Sequence, residues 1–285
     1  MINLKNILAL IKSRVSLSVT FTAITGYIVF TRSFDLHILP LALGIFILAG
    51  GSSALNQFQE SEYDAKMERT KNRPIPSGKM SPLSALITSL LFLFAGLSIL
   101  YVYFPIVTAL LGLINVLWYN LIYTNLKKIT AFAVVPGSLV GAIPVLIGWT
   151  AAGGYVFDVT IVFIAFFMFI WQIPHFWLLM IKYGSQYEQA GFPTINQVIS
   201  PESLTKIILT WIIATSVSCI MVPLFLKDIS FSFFLTVFIL NILFVGTFVK
   251  LSFGKTAQYN TMKSFISINI YMVLFMSMLI AFHLF

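Results

Sequence analysis

The apolar residues of this chain fall into nine long runs separated by short polar stretches, with one densely charged island between the second run and the third. Crossing a bilayer as a helix takes roughly 20 apolar residues. The runs 15–31, 37–57, 83–103, 105–124, 131–150, 159–181, 204–226, 229–249 and 265–285 approach or meet that length. They predict an all-α, polytopic membrane protein, a bundle of nine transmembrane helices forming a single domain over residues 1–285. Only Phe104-Pro105 divides the third run from the fourth, so those helices should form a tight hairpin. Pro136, Pro144 and Pro174 lie in or beside runs, where proline frees a carbonyl and bends the rod. Such bends either serve packing or frame a central cavity. One polar segment follows the second run and another the sixth, a spacing that hints at two four-helix halves and one terminal helix.

Composition strengthens the membrane reading. Hydrophobic residues make up 59% of the chain and charged residues 9%, with a mean hydropathy of +0.97. A soluble domain carries about 25% charged residues, so this chain cannot cover a water-facing surface. Basic residues set the orientation. With the N-terminus in the cytoplasm, fifteen of the seventeen Lys and Arg fall on the cytoplasmic side, including Lys5, Lys12 and Arg14 at the start and Lys250, Lys255 and Lys263 before the last helix. Only Arg32 and Lys227 fall outside, and the C-terminus is expected there too. The formal charge of +8 then reflects cytoplasmic loops and calls for no nucleic acid. The first run ends at Thr31-Arg32-Ser33-Phe34 without a small-residue cleavage site, so it reads as a retained helix. The short basic N-terminus, with no transit sequence, points to a bacterial cytoplasmic (inner) membrane. The single cysteine, Cys219, excludes an intrachain disulfide and a multi-cysteine metal site.

The charged island, Asn56–Gly78, holds four of the nine acidic residues. Asn56, Glu60 and Asp64 stand at i, i+4 and i+8. In a helix they share one face, drifting about 40° per step over roughly 12 Å. Carboxylates in a membrane bundle are costly and usually functional. These hard oxygen ligands suit Mg²⁺, which takes one or two carboxylates plus phosphate oxygens. A solvated helix end with ordinary pairs, such as Glu62 with Lys66, has the same spacing. Arg69 and Arg73 follow in a stretch stiffened by Pro74 and Pro76, and guanidinium groups hold phosphate oxygens in pairs. Acids for a metal beside cations for phosphate make a clamp for a diphosphate. Lys127, Lys128 and Lys182 fall at the same end, where each by itself reads as a topological anchor. Asn120 and Tyr123 are placed to orient water or substrate. His37 and His283 fall at the outer interface.

The pattern Asn56-x-x-x-Glu60-x-x-x-Asp64-x-x-Met67-x-Arg69-Thr70-x-x-Arg73-Pro74-x-Pro76-Ser77-Gly78 resembles the first signature of the UbiA superfamily of intramembrane prenyltransferases. Glu60 stands where most of the superfamily has Asp, as it does in the protoheme IX farnesyltransferase branch. Four further stretches are similar to that branch: Tyr123 to Thr130 (YTNLKKIT), Gly141 to Trp149 with Val145 in place of a second proline, Trp171-Gln172-Ile173-Pro174-His175-Phe176, and Ala190-Gly191-Phe192-Pro193. The likeness runs from Ser13-Arg14 to the last helix. It implies the nine-helix UbiA fold and transfer of a farnesyl group from farnesyl diphosphate to a vinyl group of haem B, giving haem O. It also implies catalytic and Mg²⁺-binding roles for Asn56, Glu60 and Asp64, and diphosphate contacts from Arg69, Arg73, Lys127, Lys128 and Lys182. His175 and Trp171 become haem contacts, His175 either as an axial ligand or as a structural donor to a carbonyl freed by Pro174. Haem B is then a substrate rather than a cofactor, membrane lipid surrounds the bundle, and a haem A synthase or terminal-oxidase assembly factor is the candidate protein partner.

The second polar segment departs from the family pattern. Relatives carry Asp-Asp-Tyr just before Ala-Gly-x-Pro, whereas this chain has Ser185-Gln186-Tyr187, leaving Glu188 as the only carboxylate. Gln186, Tyr187 and Glu188 are the candidates for what remains of a second motif, and the number of metal ions is open. Other readings are a prenyltransferase acting on an aromatic or quinone precursor, a non-catalytic haem-binding protein, and a transporter.

Overall fold

The computed structural model describes residues 3–227, 229–253 and 261–285; Lys255, assigned above to a cytoplasmic loop, lies outside them. Among the described residues nine helices are long and apolar enough to span a membrane, as the sequence predicts. A short helix precedes them that the hydropathy pattern does not reveal: α1 (Leu4–Leu10), capped by the Asn3 side chain. The spans are α2 (Ser13–Thr31), α3 (Ile38–Gln59), α5 (Pro82–Tyr103), α6 (Ile106–Leu126), α7 (Ala131–Ala151), α8 (Val159–Ala190), α9 (Pro201–Met221), α10 (Phe231–Phe253) and α11 (Thr261–Leu284). Between α3 and α5 sits one short turn of helix, α4 (Ser61–Ala65).

The boundaries differ most at α8. It runs without a break through Pro174 to Ala190 instead of ending near residue 181. Its 32 residues reach about 48 Å, far more than the roughly 30 Å of hydrocarbon. The last turns therefore project beyond the apolar slab. Gly191 stops the helix at φ 95, where a Cβ would be strained. The segment carrying Gln186, Tyr187 and Glu188 is thus helical.

The core has two parts that meet on α7. Ile143, Ile147 and Ala151 face a cluster built with α2, α3, α5 and α6, including Ile28, Leu41, Ile45 and Leu100. Val145 and Trp149 face the other cluster, built with α8 to α11, including Phe167, Phe248 and Phe275. The terminal helix α11 packs on α8, α10 and α2, closing the ring, so it belongs to the second group rather than standing apart from two four-helix halves. Helices α2 and α7 meet backbone to backbone, because a Cβ on Gly148 would overlap the Ala23 carbonyl oxygen. Small residues drive such contacts in lipid, where apolar side chains gain little from leaving a lipid neighbour. For the same reason α5 leaves Leu90, Leu91 and Phe94 exposed on the outside.

Candidate functional site

The carboxylates are carried by the end of α3 and by α4. Glu60 closes α3, its N–H bonded to the Asn56 carbonyl at 3.0 Å, and Asp64 N–H donates to the Glu60 carbonyl at 2.8 Å. The i to i−4 pattern thus continues across the break and keeps Asn56, Glu60 and Asp64 in line. All three are buried, at 2%, 3% and 1% exposure. A solvated helix end does not bury its acids, so the ordinary surface reading fails here.

Each member of the triad holds one cation, and each cation comes from a different segment. Lys127 Nζ lies 2.5 Å from Glu60 Oε1 and 2.6 Å from Oε2. Arg73 Nη1 lies 2.6 Å from Asp64 Oδ2. Lys12 Nζ donates to Asn56 Oδ1 at 3.1 Å. The Asn56 amide in turn donates to Glu60 Oε1 at 2.9 Å and to Thr124 Oγ1 at 3.1 Å. Burial lowers Lys127 most strongly of any single cause, but the Glu60 carboxylate together with Tyr123 and Tyr187 outweighs it, and the group sits above the usual lysine value. Burial, with Arg73 next, lowers Lys12 to about 7.

The stretch after α4 is packed, not loose. Thr70 Oγ1 donates to the Asp64 carbonyl at 2.9 Å, and Gly78 turns the chain at φ 72. Ile75 and Met80 are buried against Leu10, Ala54 and Ala85. Met67 is buried with Ala190 and Phe192, so the Ala-Gly-Phe-Pro corner serves as the dock for the first segment. Arg69, expected beside the carboxylates with Arg73, reaches across to α8 next to a cavity beside the triad. Its guanidinium lies over the Tyr183 and Tyr187 rings of α8 and donates to Tyr187 Oη at 2.8 Å, while its backbone N–H donates to Gln186 Oε1 at 3.0 Å. Gln186 and Tyr187 therefore fasten the first segment to α8. Glu188 accepts from Thr194 Oγ1 in the corner that follows. Lys128 lies over the Tyr63 ring and Lys182 over Tyr183.

A π-helical turn, Trp118–Tyr123, interrupts α6 and sets the side chains facing α3. Such turns recur at functional sites. Tyr119 and Tyr123 stack at 5.8 Å, and Lys127 Nζ lies 5.8 Å from the Tyr123 ring. Asn120 is not free to orient a substrate: it is buried, accepts from Ser52 Oγ at 2.6 Å and donates to the Ser52 carbonyl at 3.0 Å. It ties α6 to α3. Lys12, Thr124 and Tyr119 are the site residues that the sequence reading missed. The break between α1 and α2 and the π turn leave no hydropathy signal.

Beside the triad, a cavity of about 70 Å³ is lined by Tyr123, Lys127, Phe176, Tyr187 and Phe192. A larger one, about 680 Å³, opens at the far end near Arg32 and Lys227 and contains none of these groups. Deeper along α8, the His175 ring packs between Trp171 and Phe265, each centroid 4.8 Å away. Trp171 is buried and donates Nε1 to the Ile268 carbonyl at 2.9 Å, which fixes its ring against His175. Among the described residues His175 Nδ1 has no partner, nor have Gln172 Oε1 and Trp177 Nε1. The bond to a carbonyl freed by Pro174, expected of a structural histidine, is absent at His175 Nδ1. Buried polar groups in lipid seldom go unpaired; Gln172 and His175 lie one turn apart on α8, whereas Trp177 faces the other side of the helix against Trp211.

The buried hard oxygens of the triad fit a divalent cation of the Mg²⁺ type. Among the described residues no three His, Cys, Asp or Glu side chains cluster as a complete metal site. The set matches an ion that takes its other ligands from phosphate and water.

The sequence model of the UbiA prenyltransferase family matches residues 18–279. The protoheme IX farnesyltransferase of Geobacter sulfurreducens is 35% identical over 218 residues, covering 76% of this chain and 80% of the relative. The protoheme IX farnesyltransferase of Bartonella bacilliformis is 39% identical over 216 residues, covering 75% and 69%. Among solved structures, one of digeranylgeranylglyceryl phosphate synthase superposes with a TM-score of 0.78 at 18% identity, over 99% of this chain and 98% of that one. A UbiA homologue from Archaeoglobus fulgidus, bound to DMAPP and Mg²⁺, superposes with a TM-score of 0.75 at 15% identity, over 97% and 98%.

Proposed function

The chain belongs to the UbiA prenyltransferase family, and we propose that it transfers the farnesyl group of farnesyl diphosphate to a vinyl group of haem B, giving haem O. The observation that carries the chemistry is the buried triad Asn56, Glu60 and Asp64 with a basic side chain on each member. Relatives named protoheme IX farnesyltransferase at 35% and 39% identity support the acceptor.

One divalent ion, Mg²⁺ in this reading, would be held by Asn56, Glu60 and Asp64 and would draw charge from the diphosphate. The C1–O bond of the farnesyl group breaks with its electron pair passing to the diphosphate. Arg73, Lys127 and Lys128 take up that charge, and Arg69 and Lys182 line the approach. The haem vinyl attacks C1, water adds to the resulting cation and loses a proton, and the hydroxyethylfarnesyl side chain remains. Apolar walls keep bulk water from capturing the allylic cation first. His175, held in place by Trp171, meets the haem. Gln186 and Tyr187 dock the first segment, and Glu188 braces the corner after α8 rather than holding a second ion. The nine spans make this a multi-pass membrane protein. In this reading it lies in a bacterial cytoplasmic membrane with the site at the cytoplasmic end, and a membrane haem-modifying enzyme or oxidase assembly factor receives the product. The test is haem-dependent consumption of farnesyl diphosphate by the purified protein, with mass spectrometry of the extracted haem. Consumption with a quinone precursor but not with haem overturns the acceptor.

A further inference from the structure

Lys12 stands at the break between α1 and α2 with φ 46 and ψ 55, a region that residues bearing a Cβ rarely enter. Its surroundings hold it there. Gln57 Nε2 donates to the Ala9 carbonyl at 2.9 Å and the Leu10 carbonyl at 2.7 Å, and Ser16 Oγ donates to the Ile11 carbonyl at 2.8 Å. Leu10 and Ile11 are fully buried on either side of the turn's start. The carbonyls that end α1 are thus occupied, and the strained hinge directs the Lys12 side chain inward to Asn56 Oδ1. Backbone strain kept by several independent contacts, with a charged group at its tip, is a pattern of functional sites.

We propose that Lys12 is a diphosphate-binding residue that occupies Asn56 Oδ1 while the site is empty and moves to the diphosphate oxygens when a divalent ion takes that amide. The inference rests on the metal and diphosphate reading above. It follows the arrangement of the triad, in which Lys127 and Arg73 sit on the other two members. A cation on a metal-ligand oxygen competes with the metal, and the same cation attracts the diphosphate. Lys12 therefore weakens binding of the metal alone and strengthens binding of the diphosphate, which makes the two ligands bind cooperatively.

The experiment uses the full chain in detergent, with Mn²⁺ as the metal probe, read by electron paramagnetic resonance, and inorganic pyrophosphate as the diphosphate probe, read by calorimetry. Lys12→Met keeps an unbranched side chain and removes the charge. It should bind Mn²⁺ alone about tenfold more tightly and pyrophosphate with Mn²⁺ about tenfold more weakly, the scale of one charged hydrogen bond. Lys12→Arg should restore pyrophosphate binding. Gln57→Met, which leaves Lys12 in place but frees the hinge, should shift both constants in the Lys12→Met direction by less, and it carries the comparison if Lys12→Met does not fold. Unchanged constants, or constants that both weaken in a monodisperse protein, overturn the role of Lys12. If the unaltered protein binds neither Mn²⁺ nor pyrophosphate, the metal and diphosphate reading itself fails.

Discussion

Replacing Asp64 by Asn keeps the shape of a side chain that is 1% exposed and removes its charge. The backbone should stay in place, because Thr70 bonds the Asp64 carbonyl and not its carboxylate. Two losses follow, of different kinds. The first is the charge-assisted bond from Arg73 at 2.6 Å, worth about 1.5–3 kcal/mol. Arg73 is 23% exposed at its side chain, and water there screens the pair, so the lower end of that range applies. The second is catalytic. Removing one preorganised group from a developing charge costs about 10²–10³ in turnover. Asp64→Asn should therefore lower the unfolding temperature modestly and cut turnover about a hundredfold, and the Mg²⁺ concentration for half-maximal rate should rise. The assay is haem O formation from farnesyl diphosphate and haem B, separated by chromatography, run well below the unfolding temperature with Mg²⁺ titrated. Asp64→Ala should lose a similar factor in turnover while losing more stability. Near-normal turnover in Asp64→Asn, or a loss that extra Mg²⁺ leaves unaltered while stability falls to match, would refute the assignment of the triad.

Four further outcomes are expected. His175→Ala should change the absorption spectrum of bound haem and leave pyrophosphate binding intact; an unaltered spectrum returns His175 to a packing role. Glu188→Gln should keep turnover within about threefold, since its oxygen serves Thr194 and the Gln amide oxygen can accept the same hydroxyl; a loss near that of Asp64→Asn would make Glu188 a metal ligand. Gly148→Val should abolish a monodisperse protein on size exclusion, because its side chain would meet the Ala23 backbone, which cannot rotate aside; normal yield would contradict the α2–α7 contact. In a Cys219→Ala background, a cysteine placed by Lys71→Cys should react with a membrane-impermeant maleimide only in inverted vesicles. Labelling in intact spheroplasts would reverse the orientation.

Much of the architecture was legible because hydrocarbon imposes one rule on every span. Among the described residues the nine apolar runs became nine membrane-spanning helices, and the triad Asn56, Glu60 and Asp64 came together because 3.6 residues per turn places fourth neighbours on one face. Helix α8 outruns its hydropathy signal for a physical reason. Polar residues close a hydropathy window but do not end a helix, and the stop signal was Gly191 with its positive φ. Arg69 was placed by charge alone, whereas the structure gives it two aromatic rings on α8 to stack against, a preference that depends on a partner about 115 residues away along the chain.

By itself, then, the sequence determined a nine-span bundle and a charged segment with Asn56, Glu60 and Asp64 at i, i+4 and i+8 and basic residues close behind, since both follow from local periodicity and composition. Only the tertiary structure decided which base sits on which member of the triad. Lys127 reaches Glu60 and Lys12 reaches Asn56 because a π turn in α6 and a left-handed hinge before α2 bring distant segments to the end of α3. Pairing across such distances depends on how helices pack, and helix packing is fixed by close contacts such as Gly148 against Ala23, which no local pattern encodes.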